Sequence, residues 1–94
     1  MSVVVSAVAP GFTVDLYEAV TSKAMPDGQL PDGCELHIAG PVEDGWRVIT
    51  VWQTREAFER FREEQLLPAI RELGGERGAP PVPEIQPVHK LITA

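Results

Sequence analysis

The chain contains one cysteine, Cys34, two histidines, His37 and His89, and no asparagine among its 94 residues. A lone cysteine forms no intrachain disulfide, so nothing points to an oxidising, secreted setting. Basic residues are also few: eight Lys and Arg against 14 Asp and Glu leave a net charge of −6. That balance disfavours non-specific nucleic-acid binding, because no cationic excess exists to displace counterions from phosphates. The bases present alternate with acids between Arg55 and Glu64, the pattern of a solvated helix face. Long apolar runs are missing too. The opening MSVVVSAVAP lacks a basic leader and is too short for a signal core or a membrane span. A cytoplasmic protein with no membrane contact is the expectation. No glycine-rich phosphate loop and no nucleophile elbow appears.

What is present is ordinary globular material. Hydrophobic residues at 44% and charged residues at 23% argue against wholesale disorder. Residues 1–94 are expected to form a single domain, large enough for a core but marginal if it folds alone.

Six elements are legible. Ser2 to Ala9 is Val-rich and reads as a strand ended by Pro10-Gly11. A helix follows, with Thr13 as N-cap, Asp15 in its first turn and Phe12 positioned to staple onto Tyr17. Its Leu16, Val20 and Ala24 recur at helical spacing. Met25 to Gly33 carries Pro-Asp-Gly twice, which is turn chemistry. Gly33 to Gly40 and Trp46 to Gln53 pair as a hairpin around Val42-Glu43-Asp44-Gly45. Thr54 caps a second helix that turns Phe58, Phe61 and Leu66 inward. Pro68 suits the first turn of a short new helix through Leu73, stopped at Gly74-Gly75. Glu76 to Pro83 reads as a loop and Glu84 to Ile92 as a last strand, which Pro87 pushes to a sheet edge or a bulge.

The order βαββαβ is the ferredoxin-like α+β arrangement, an antiparallel sheet with two main helices on one face. A lone copy should be polar on the uncovered face. Here the first and third strands are apolar on both sides, which implies a homodimer through the sheet face.

The run Trp46-Arg47-Val48-Ile49-Thr50-Val51-Trp52-Gln53-Thr54-Arg55-Glu56-Ala57-Phe58 resembles the third strand and second helix of the dimeric α/β-barrel superfamily. More narrowly, it is similar to small actinobacterial proteins related to antibiotic biosynthesis monooxygenases. The most specific part is Trp52-x-Thr54-x-Glu56-Ala57-Phe58. The resemblance implies a dimeric α/β barrel with an apolar pocket between sheet and helices in each subunit. It also implies Trp52 and Phe58 as pocket residues, by analogy with quinone-forming members. Those members carry an Asn four residues before the Trp to hydrogen-bond a phenolic substrate; Val48 stands there in this chain. Haem-degrading relatives use a His on the second helix and an Asn on the first strand, and neither is present. Both departures argue against oxygenase chemistry.

His37 is the candidate acid or base, since it titrates near neutrality in the middle of a strand. With an even-numbered hairpin loop it shares a face with Thr50 and Trp52, whereas a bulge at Gly45 would reverse it. The plainer reading is a strand histidine bonded to structural partners. Tyr17 offers a phenol to the pocket, although packing on Phe12 competes for it. Trp46 is expected to cover the sheet end or the dimer seam, and His89 to be exposed. Cys34 reads as a small buried hydrophobe. Three positions from His37 on a strand, it is expected on the opposite face, so no metal site is expected.

Two function classes follow. One is a small cofactor-independent enzyme for an aromatic or polyketide-like molecule, monooxygenase-like or isomerase- and cyclase-like, in secondary metabolism. The other is a non-catalytic homodimeric module that binds a small apolar ligand or stabilises a partner.

Overall fold

The computed structural model describes residues 1–74 and 83–94. Strands β1 (Val3–Pro10), β2 (Cys34–Val42), β3 (Gly45–Trp52) and β4 (Glu84–Pro87) form one antiparallel sheet in the order β2-β3-β1-β4. Helix α1 (Val14–Ala24) joins β1 to β2, while α2 (Arg55–Phe61) and α3 (Leu67–Gly74) follow β3. The expected ferredoxin-like α+β order is the one observed.

Local chemistry sets the element ends. The Thr13 hydroxyl accepts from the Leu16 N–H and the Thr54 hydroxyl from the Ala57 N–H, so both predicted N-caps satisfy an otherwise orphaned donor. Gly33 has φ +86°, and a side chain there would come within 2.7 Å of the Ala57 Cβ, so only glycine fits. The hairpin closes through two residues, Glu43 and Asp44, with Val42 paired to Gly45. Asp44 adopts φ 63°, the left-handed conformation that Asp tolerates better than most residues.

Between α2 and α3 the chain takes a π-helical turn, Arg62–Leu66, in which the Leu67 N–H reaches back five residues to the Arg62 carbonyl. Pro68 explains the widening. Its ring would crowd a carbonyl four residues back in an unbroken α-helix, and it has no N–H to lose. The expected helix break is thus absorbed as one wide turn.

Three expectations need correction. The last strand ends at Pro87, not Ile92, and the Val88 N–H makes one further bond to the Ser2 carbonyl. The only register shift in the β2–β3 pairing falls between Cys34 and Leu36 and not at Gly45. The extra residue there cancels the odd spacing, so Cys34 joins His37 on the helix-facing side instead of the opposite one. Finally, Phe12 packs on the cluster of Val20, Ala24 and Ala69, which leaves the Tyr17 ring for other partners. The expected stop at Gly75 and loop from Glu76 lie largely outside the described residues.

The core sits between sheet and helices in two clusters. Val5, Trp52 and Phe58 form one, and Val20, Ala24 and Ala69 the other, with Phe61 packed against both. On the far face no described helix lies, and Val8 and Ile38 are 50% and 49% exposed. Val51, central in that face between Val4 and Leu36, is nevertheless buried.

Candidate functional site

The helix-facing side of β3 carries Trp46, Val48, Thr50 and Trp52 at period two. Across the sheet Thr50 pairs with Val5 on one side and His37 on the other. Val48 and Trp46 face Ala7 and Ala9 on β1, and these small residues leave open space under the helices. The result is a cavity of about 120 Å³ between sheet and helices, with predominantly apolar walls.

Every residue singled out from the sequence lies on this cavity: His37, Trp52, Phe58, Thr50, Tyr17 and Val48. Three others were missed. Trp46 lines the cavity instead of capping the sheet end, a position its shared parity with Trp52 already indicated. Cys34 arrives through the bulge, for which the sequence carries no signal. Arg62 enters from the π-helical turn. His89 is exposed, as expected.

The polar centre is one hydrogen bond. The Tyr17 Oη lies 2.6 Å from the His37 Nε2, joining α1 to the middle of β2. In the His37 tautomer with Nε2 unprotonated, the Tyr17 O–H donates and the imidazole nitrogen accepts. Burial pushes the Tyr17 phenol up, helped by the Glu18 charge, and pushes His37 down. Both groups are therefore neutral at pH 7. The Tyr17 ring also lies against Trp46, with centroids 5.2 Å apart, and the buried Trp46 Nε1 has no hydrogen-bond partner among the described residues.

At the other end Trp52 is 1% exposed, and its Nε1 donates to the Thr50 Oγ1 at 2.8 Å. Phe58 meets it edge-on at 5.6 Å and Phe61 lies tilted at 5.4 Å. Cys34 stays a thiol, since burial and the nearby Glu35 charge raise its pKa. Among the described residues no group of three or more His, Cys, Asp or Glu side chains is placed to hold a metal ion. No described helix is long and apolar enough to cross a membrane.

No protein-family profile matches the sequence, and no curated protein does. Solved structures do match in fold. The cofactor-independent oxygenase SnoaB of Streptomyces nogalater, as a point mutant, aligns over 99% of this chain and 97% of its own, with 14% identity and TM-score 0.64. A putative antibiotic biosynthesis monooxygenase of Bordetella bronchiseptica aligns over 97% and 98%, with 19% identity and TM-score 0.63. The haem degrader MhuD of Mycobacterium tuberculosis, with two haems bound in its active site, aligns over 99% and 100%, with 22% identity and TM-score 0.56. Identities this low speak to architecture alone, and the architecture is the ferredoxin-like fold of the antibiotic biosynthesis monooxygenase-like proteins.

Proposed function

We propose that residues 1–94 act as one domain, a small cofactor-independent enzyme that moves a proton on an apolar, enolisable or phenolic molecule. The observation that carries this reading is the 2.6 Å Tyr17–His37 hydrogen bond inside an otherwise apolar cavity. A neutral imidazole with a lowered pKa accepts a proton, a buried phenol passes one on, and both lie where an aromatic ligand would stand between Val48 and Trp52. Taking a proton from the α-carbon of a ketone and returning one to its oxygen is an isomerisation that needs no oxidant. An oxygenase reaction would need molecular oxygen as oxidant in addition. Val48 removes the amide that resembles the phenol-orienting group of quinone-forming proteins, so proton transfer is the better-supported chemistry. Aromatic or polyketide-like intermediates of secondary metabolism are the substrate setting.

The protein is further proposed to work as a homodimer through the uncovered sheet face. Val8 and Ile38 are half exposed there beside Ile49, and a second copy of that face would remove all three from water. A non-catalytic, ligand-binding homodimer is the second reading. The observation that favours it is that His37 Nε2 is already engaged by Tyr17.

The test is hydrogen–deuterium exchange at the α-carbon of cyclohexanone and 4-methylcyclohexanone in D2O, followed by NMR. Exchange above buffer that vanishes in His37→Phe supports the enzyme. Ligand binding without exchange supports the binding module, and absence of both sinks the two readings together.

A further inference from the structure

We propose that the cavity admits one ring, and that its ligand is a single-ring phenol or enol whose hydroxyl donates to the Tyr17 oxygen. The inference rests on the proposed function above and specifies its ligand. Volume is the first observation behind it. The cavity measures about 120 Å³, and a dry apolar cavity of about 150 Å³ takes one benzene ring, whereas sites for drug-sized ligands begin near 300 Å³. A fused second ring needs a wall to retreat, and one wall is pinned. Trp52 is held between Phe58 and Phe61, with its Nε1 on Thr50. Swinging the indole away would leave the Thr50 hydroxyl buried without its donor.

The 2.6 Å contact of the polar pair is the second observation. With His37 assigned the tautomer unprotonated at Nε2, Tyr17 gives its one hydroxyl proton to that nitrogen, and the phenol oxygen retains only acceptor capacity. A ligand meeting that oxygen is held as a donor, and an ether in the same place has no proton to offer. The Thr50 oxygen accepts one bond from Trp52 and keeps its own O–H to donate. His37 then acts through Tyr17 and is a positioning residue for the ligand hydroxyl. In the relay the ligand O–H bond breaks as a Tyr17 O–H bond forms, and the former Tyr17 proton bonds to Nε2. The ligand is left as an oxyanion and His37 as an imidazolium.

Calorimetric titration with phenol, anisole, toluene and 1-naphthol tests this on the wild-type chain, Tyr17→Phe and Val48→Ala. Phenol is expected to bind at least tenfold tighter than anisole and at least tenfold tighter than 1-naphthol. Tyr17→Phe should bring phenol to within about twofold of anisole with toluene binding unchanged, and unchanged toluene binding shows that the cavity is intact. Val48→Ala, which shortens a wall, should close most of the gap between 1-naphthol and phenol. Wild-type binding of 1-naphthol as tight as phenol overturns the one-ring limit, and anisole equal to phenol overturns the donor assignment. In both cases the proposed function survives. Failure of all four probes to bind overturns the inference and the proposed function alike.

Discussion

Two tryptophans stand six residues apart on the same face of β3, and their surroundings differ in kind. Trp52 is enclosed by Phe58, Phe61 and Val5, and its indole N–H has a partner. Trp46 is partly exposed, rests on the Tyr17 ring and leaves its N–H unpaired among the described residues. The first arrangement is saturated: every group that burial makes costly is compensated. At the second end, hydrogen-bonding capacity is left over, and that end also holds His37 and Tyr17. One end of the cavity therefore stabilises the fold, and the other retains groups able to act on a ligand.

The largest effect is expected from breaking the saturated end. Trp52→Ala should cost about 3–5 kcal/mol, the usual range for deleting a buried aromatic. Trp46→Ala should cost clearly less, and denaturant melts of the two variants that coincide would erase the distinction. A control on the far face extends the comparison. Val51→Asp buries an unpaired carboxylate and should cost about 2–4 kcal/mol at any protein concentration. Ile49→Asp should instead halve the mass seen by light scattering, and a wild-type chain that is already monomeric would reject the homodimer.

A smaller effect concerns the indole nitrogens. Trp52→Phe deprives the Thr50 hydroxyl of its donor and should lose about 1–3 kcal/mol beyond the change in volume. Trp46→Phe removes a donor that has no partner and carries no such penalty. Equal thermal shifts would mean that the Trp46 N–H is satisfied in solution.

The smallest effect is a pH dependence confined to the polar end. Burial lowers the His37 pKa below its ordinary value of about 6.5 in an unfolded chain, so the folded state holds fewer protons. The associated stability is fully present above about pH 6.5 and is lost as pH falls through the folded value. Stability measured from pH 7.5 to 5 should fall, and His37→Phe should remove that part of the slope. An unchanged slope in the variant would place the titration elsewhere.

The sequence by itself determined the element order, the two Thr caps, the two-residue hairpin turn and the parity that aligns Trp46, Val48, Thr50 and Trp52. These are local matters of backbone satisfaction, turn chemistry and the period of two along a strand, so neighbours in sequence suffice to settle them. It also placed His37 beside Thr50, because an even hairpin loop fixes register. Other features depended on tertiary structure. The bulge after Cys34 arises where the strand must meet Gly33 packed against Ala57, a contact between distant segments. The Tyr17–His37 bond depends on how α1 lies across β2, with the partners 20 positions apart in the chain. Sequence spacing carries no information about that crossing, because it is set by how Phe12, Val20 and Ala24 pack on the segment after β3. Packing between elements brought a phenol and an imidazole together, and that decided where the cavity holds its polar groups.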